Sequence, residues 1–223
     1  GGSGGGGGGG GSGFVGGSNA AEPTAAPSTP PDANGQTEIL RFVDRDEIPW
    51  ASSYLATLVE KKILNGDGEK LYPGREITRE EFVKLIMEAF FADAQTDGIS
   101  GFSDVSDESW YAPYIVRAVQ AGVITGVSED LFGSGTPVTR QDAVVILNRT
   151  INKLGASLPS GVAAGFSDEI EIAPYAAEAV RLFAEAGIVS GTEEQKFRPG
   201  AAITRAEAAK LLCLTLEVVT NEN

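Results

Sequence analysis

Three segments with one residue pattern divide most of this chain into copies of a single unit. In each segment an aliphatic residue is followed by Thr-Arg and, two residues later, by an acidic residue; the segments are 77–81, 138–142 and 203–207. The pattern recurs after roughly 60 residues, which is a period typical of repeat proteins. Since one short unit cannot bury its apolar face alone, the sequence predicts that the three copies share a core.

Each segment precedes a run with helical apolar spacing, such as Phe82, Leu85, Ile86 and Ala89. Threonine before the run can accept from a first-turn N–H, while the acidic residue reaches back to the threonine amide. The pattern therefore predicts helices over 78–91, 139–153 and 204–218.

The arginine in each segment is not explained by capping. A cation in the first turn faces the positive end of the helix dipole, which costs about 0.3–1 kcal/mol. Arg79, Arg140 and Arg205 are therefore interpreted as three guanidinium groups beside helix N-termini that receive an anion. The alternative is an intramolecular salt bridge, which a chain of formal net charge −14 could readily supply.

The remainder of the unit also repeats. A Phe-x-Asp turn is followed by a first helix, predicted over 50–62, 111–121 and 174–186, with a tyrosine near its start at Tyr54, Tyr114 and Tyr175. An aliphatic-x-Gly turn ends at Gly66, Gly126 and Gly191, and these glycines are expected to adopt positive φ. An aromatic residue then precedes each Thr-Arg helix, at Tyr72, Phe132 and Phe197.

The end of the first helix differs between copies. Gly122 and Gly187 stand where a left-handed helix cap is expected, but the first copy has Lys62 there. We expect Lys62 to be strained or its helix to end differently.

Composition excludes several functions. The chain has no histidine, which removes the commonest general base and zinc ligand. Its acidic charge argues against nucleic acid, and no apolar run is long enough to insert into a membrane. Cys213 lies in an apolar run and is expected in the core. No metal, cofactor or catalytic group is predicted.

The first 38 residues differ from the rest. They are rich in Gly and Ser and then in Ala, Pro and Thr, which predicts a flexible, disordered linker. We assign 1–38 to this linker and 39–97, 98–160 and 161–223 to the three repeats.

The ordered set Phe-Ser-Asp-Val, Trp-Tyr-Ala-Pro-Tyr, Ala-Gly-Val-Ile-Thr-Gly and Thr-Arg-x-Asp/Glu resembles the S-layer homology domain, in three tandem copies over about 42–218. The resemblance implies an all-α fold, with three helix-loop-helix repeats forming a pseudo-threefold, three-pronged bundle. It also implies a non-catalytic module at the bacterial cell wall or S-layer. Such a module anchors an upstream cargo domain, joined through the linker, to an acidic secondary cell wall polymer, often one that carries pyruvylated N-acetylmannosamine.

The resemblance further implies sites in grooves between neighbouring repeats. The candidate ligand-binding residues are, by type, the arginines Arg79, Arg140 and Arg205, the turn aspartates Asp44, Asp104 and Asp168, the tryptophans Trp50 and Trp110, and the glycines Gly66, Gly126 and Gly191. For the aspartates the alternative is turn closure, and for the tryptophans it is packing.

The three sites are expected to be unequal. Aligned on Ala-Pro-Tyr, the third copy has Glu171 at the position of Trp110, and the second has Gln141-Asp142 where Ala-Glu is more usual. Alternative functions are a protein–protein assembly module of a surface layer, peptidoglycan binding and, with least support, glycoside hydrolysis, because the acids recur in capping and turn positions.

Overall fold

The computed structural model describes residues 38–221, and the predicted linker lies outside them apart from Glu38. The described residues form six α-helices and three short 3-10 segments, at Glu38–Arg41, Pro49–Ala51 and Glu169–Glu171. The helices are α1 Ser52–Glu60, α2 Arg79–Phe90, α3 Ala112–Gln120, α4 Arg140–Leu154, α5 Ala177–Glu185 and α6 Arg205–Asn221. The all-α prediction is confirmed, since the described residues contain isolated β-bridges but no strand.

The three Thr-Arg helices form the centre of the molecule. Helices α2, α4 and α6 contact one another, and an outer helix packs on each of them: α3 on α2, α5 on α4, and α1 on α6. Each outer helix therefore packs on the central helix of the preceding repeat, with α1 closing the cycle on the third. This exchange of partners explains why a two-helix repeat cannot form the core alone.

A ring of backbone hydrogen bonds closes the bundle at its N-terminal end. The N–H of Ile77 donates to Ile203 O (3.0 Å), that of Ile203 to Val138 O (3.1 Å), and that of Val138 to Ile77 O (3.0 Å). All three side chains are buried. The residues before the three central helices are thus fixed against one another, which gives the fold its pseudo-threefold symmetry.

The central helices begin where the capping pattern predicts. The Thr78 N–H donates to Glu81 Oε2, and the Thr204 N–H donates to Glu207 Oε2. In the second repeat the Asp142 N–H donates to the Thr139 hydroxyl.

The third repeat corrects the predicted alignment. The residues that directly precede the first residue of α1, α3 and α5 are Ala51, Tyr111 and Ala176. Tyr175 therefore corresponds to Trp50 and Trp110, and not to Tyr54 and Tyr114. The prediction that Glu171 stands at this position was wrong, so the third repeat also carries an aromatic ring there.

The core is made of aliphatic side chains and a few phenylalanines. Cys213 is buried as predicted, and burial raises the pKa of its thiol to about 12. No described helix is both long and apolar enough to cross a bilayer.

Candidate functional site

Each predicted arginine lies at the boundary between its own repeat and the next one. We call these three boundaries grooves and name each after its arginine; a cavity of about 180 Å³ borders Arg140 and Glu207. The Arg79 Nη2 donates to Thr125 O (2.9 Å), the Arg140 Nη2 to Ser190 O (3.2 Å), and the Arg205 Nη2 to Asn65 O (2.9 Å). Each acceptor directly precedes one of the predicted turn glycines, so the structure brings the arginines and the glycine turns together.

These contacts explain how a cation is accommodated at the start of a helix. The guanidinium group reaches away from its own helix, to a carbonyl in the turn that follows an outer helix, five residues after its last residue. A hydrogen bond from a cation to such a carbonyl is charge-assisted. The arginines therefore have a structural role between repeats, which sequence reasoning did not identify.

The first backbone N–H group of each central helix is already occupied. Those of Arg79, Arg140 and Arg205 donate to carbonyls of the neighbouring repeat, at Thr136, Ala201 and Arg75 respectively, each over 2.9 Å. The expectation that a ligand anion would share these helix-terminal amides therefore fails for the first residue of each helix.

The surroundings of the guanidinium groups are partly aromatic. The Arg79 guanidinium carbon lies 5.1 Å from the centre of the Phe132 ring, and that of Arg140 lies 5.3 Å from the Phe197 ring. In the Arg205 groove the equivalent residue is Leu71, whose carbonyl accepts from Arg205 Nε (2.8 Å). The predicted correspondence of Tyr72 with Phe132 and Phe197 was thus wrong by one residue.

The pairing of the three arginines is unequal. Arg140 Nη1 lies 3.4 Å from Glu207 Oε1, and Arg205 Nη1 lies 3.8 Å from Glu81 Oε1. Among the described residues, Arg79 has no carboxylate within salt-bridge distance, and its buried Nε has no partner. Burial lowers the pKa of all three guanidinium groups, but arginine remains protonated in proteins.

The turn aspartates hold the loop that precedes each central helix. Asp44 accepts from the N–H groups of Leu71 and Tyr72, and Asp168 from those of Phe197 and Arg198, over 2.7–2.8 Å. Asp104 accepts three such bonds, from Phe132, Gly133 and Ser134. This geometry is the turn closure that the sequence left as the alternative, and contact with ligand stays a prediction.

The turn glycines are required for a different reason from the one predicted. Gly66, Gly126 and Gly191 do not have positive φ. A Cβ atom on Gly126 would lie 2.4 Å from Leu131 O and 2.6 Å from the Phe102 ring, and one on Gly66 would lie 2.1 Å from Lys70 O. Close approach of the protein itself thus requires glycine at these two turns, and contact of the glycines with a ligand stays a prediction.

The tryptophans differ in exposure. Trp110 is 58% exposed and lies edge-on against Tyr111, with ring centres 5.3 Å apart. Trp50 is only partly exposed and lies under the ammonium group of Lys210. A stacking role for either ring stays a prediction. The described residues contain no cluster of His, Cys, Asp and Glu that could hold a metal ion.

Comparison with known proteins identifies the repeat. The family model of the S-layer homology domain matches residues 41–83, 101–144 and 165–209. Similar proteins include "Exoglucanase XynX" of Acetivibrio thermocellus, 30% identical over 77% of this chain and 16% of the relative. "S-layer protein sap" of Bacillus anthracis is 28% identical over 90% of the chain and 24% of the relative. "Cellulosome-anchoring protein" of Acetivibrio thermocellus is 28% identical over 65% and 33%. The chain thus spans a third or less of these relatives.

Proposed function

Because the chain belongs to the S-layer homology domain family, and is thereby a cell-surface anchoring module, we propose that its grooves bind an anionic secondary cell wall polysaccharide. The bound group is a carboxylate on the sugar, such as that of a pyruvate ketal, and the arginines receive it. The observation that supports this most directly is Arg79, a residue only 7% exposed that has no salt-bridge partner among the described residues. A planar guanidinium group suits the two oxygens of a carboxylate.

The electrostatic setting favours short-range recognition. The chain carries 17 basic and 31 acidic residues, so its overall field repels a polyanion. A ligand anion must therefore be held by local pairing in a partly buried groove, where the attraction is less screened than at the surface. This limits binding to sugars that place the carboxylate at the guanidinium group.

Several acidic side chains already have other tasks, which supports a non-catalytic role. The turn aspartates hold backbone N–H groups, and Glu81 and Glu207 cap helices. A glycosidase needs two carboxyl groups set across a sugar, one of which has a raised pKa. Among the described groups burial raises the pKa of Glu217, near the C-terminal end of α6, whereas the pKa of the turn residue Asp104 is lowered, because its backbone N–H donors outweigh burial.

The relatives suggest what the module carries. These relatives are several times longer than this chain, and by name they are enzymes and surface-layer proteins. We infer that residues 1–38 connect the anchor to a cargo, which the repeats hold at the cell wall or S-layer.

The test is binding of the full chain to purified pyruvylated wall polymer, before and after mild acid removes the ketal groups. We expect calorimetric binding to the intact polymer and its loss after acid treatment. Arg79→Lys, which keeps the charge but loses the planar fork, should weaken binding by about tenfold.

Arg181→Lys is the matched control, because Arg181 is an exposed arginine of α5 that pairs with Glu178 and Glu185. It should bind like the wild type, with unchanged circular dichroism. Equal binding of treated and untreated polymer would overturn the proposal. Self-association of the protein without any polymer would favour a protein–protein assembly module. Retention of the protein on bare peptidoglycan would favour peptidoglycan binding.

A further inference from the structure

The acidic residue three positions into each central helix differs in length between repeats. It is Glu81 in the first, Asp142 in the second and Glu207 in the third. Each faces the groove whose arginine comes from the preceding repeat. This position therefore sets a carboxylate of the protein against the group that would receive the carboxylate of a ligand.

The two glutamates reach their arginines. Glu207 accepts from the Thr204 N–H through Oε2 and turns Oε1 toward Arg140. Glu81 does the same, with Oε2 on the Thr78 N–H and Oε1 between Arg75 (2.7 Å) and Arg205 (3.8 Å). In both grooves, one carboxylate oxygen of the glutamate caps its helix and the other lies close to the guanidinium group of the preceding repeat.

Asp142 is one methylene shorter, and both its oxygens are occupied elsewhere. Oδ1 accepts from the Tyr175 hydroxyl (2.7 Å), and Oδ2 accepts from the Thr139 hydroxyl (2.7 Å). Tyr175 belongs to the third repeat, at the position of Trp110 in the second. Three repeats therefore take part in the Arg79 groove. Asp142 still attracts the Arg79 guanidinium group electrostatically, but among the described residues it forms no salt bridge with it, and both its oxygens are hydrogen-bonded to hydroxyl groups.

The Arg79 guanidinium group is consequently under-paired. The residue is only 7% exposed, donates one hydrogen bond through Nη2, and keeps a buried Nε without a partner. Arg205 donates two hydrogen bonds to carbonyls and has Glu81 nearby. Arg140 also has an unpaired Nε, but Glu207 is beside it. A buried cation with incomplete pairing is the one that gains most from an added anion.

We propose that residue 142 determines which arginine accepts a ligand carboxylate: the aspartate leaves the Arg79 guanidinium group without a salt bridge, while Glu207 and Glu81 act as internal competitors at Arg140 and Arg205. A ligand must displace a protein carboxylate in the Arg140 and Arg205 grooves but not in the Arg79 groove. The relevance of this selection to wall binding rests on the proposed function, whereas the selection itself is a property of the side chains.

The test uses sodium pyruvate as a small carboxylate, titrated into the full chain at constant ionic strength with chloride as the reference. The Nε–H signals of the three arginines are followed by ¹⁵N NMR and assigned with single Arg→Lys variants. We expect a saturable shift of Arg79 Nε–H, with Arg140 and Arg205 unaffected over the same range.

Two pairs of variants separate side-chain length from charge. Asp142→Glu should suppress the Arg79 response by about tenfold, the factor for one charge-assisted hydrogen bond. Asp142→Asn, of equal length, should retain it. Glu207→Asp should make the Arg140 Nε–H signal shift with pyruvate. Glu207→Gln keeps the size of the side chain but removes its charge. A pyruvate-dependent shift of Arg140 in Glu207→Gln would show that the charge of Glu207 excludes the ligand.

The outcomes distinguish this inference from the proposed function. A response of Arg140 or Arg205 as strong as that of Arg79, no response at all, or an unchanged response in Asp142→Glu would overturn the inference. Polymer binding in that case would leave the proposed function intact. A selective Arg79 response in a protein that does not bind polymer would support the inference and reject the proposed function.

Discussion

At the scale of single residues, equivalent positions with different side chains show what each position requires. Lys62 has φ of 60°, while Gly122 and Gly187 at the same point of the other repeats have φ of 73°. All three residues end an outer helix in the left-handed region. The first repeat therefore keeps the same chain path with a side chain that the conformation disfavours, which is the strain that the sequence predicted.

Lys62→Gly should stabilise the protein. Relief of the left-handed strain gains about 1–2 kcal/mol, and the greater freedom of glycine in the unfolded chain offsets about half of it. We expect a net increase of about 0.5–1 kcal/mol in the free energy of unfolding, measured with urea.

The reverse change supplies the control. Gly122→Ala should destabilise the protein by a similar amount, although a Cβ atom there meets no neighbouring atom. A loss of stability in Lys62→Gly would mean that contacts of the lysine side chain outweigh its backbone strain.

At the scale of elements, the sequence predicted best what local chemistry determines. Each central helix begins directly after its capping threonine, one residue later than predicted. These starts could be predicted closely because the threonine and the acidic residue cap the first turn through local contacts. The start of α5 was misplaced, since an Ala-Pro-Tyr motif at 173–175 matched the second repeat but lies before the helix.

The carbonyl partners of the arginines could not be predicted from the sequence. Arg205 and Asn65 are separated by most of the chain, and their meeting depends on the cyclic closure of three repeats. The sequence showed that the second repeat has Asp142 where the third has Glu207, a side chain longer by one methylene group. The effect of this difference could not be predicted, because Tyr175 holds Asp142 from another repeat.

The loop held by Asp104 yields a prediction at the same scale. Asp104→Ala removes the acceptor of three backbone N–H groups, so the free energy of unfolding should fall by about 2 kcal/mol. Asp107→Ala, at an exposed position in the same repeat, should change it little.

Acid should abolish the difference in the free energy of unfolding between Asp104→Ala and the wild type. Burial raises the pKa of Asp104, but its backbone hydrogen bonds outweigh burial and hold the pKa below the ordinary value of 3.8. The charged form therefore contributes stability above that value, and the contribution is lost as the pH falls through the lower pKa of the folded state. Urea unfolding at pH 6 and near pH 2 measures this; a constant difference would contradict it.

At the scale of the whole molecule, the cyclic arrangement makes the repeats interdependent. The first outer helix packs on the last central helix, and the ring of Ile77, Val138 and Ile203 joins all three repeats. In an open array each repeat contacts only its neighbours, so that unfolding can begin at an end. Here the described part of the chain is closed into a cycle, so a substitution that destabilises one repeat should also destabilise the others.

This closure predicts a single unfolding transition. Leu212→Ala, in the fully buried part of α6, should cost about 2–5 kcal/mol. Trp50 lies against Lys210 of α6, but Trp110 lies in the second repeat and contacts Tyr111 and Tyr114, so the Trp110 fluorescence reports on a repeat that the substitution does not alter. We expect the urea midpoint from fluorescence to fall together with that from circular dichroism. Val162→Ala, at a fully exposed position in the third repeat, should shift neither. If the fluorescence midpoint of Leu212→Ala stayed at the wild-type value while the dichroism midpoint fell, the third repeat would unfold independently, and the ring would not couple the three repeats.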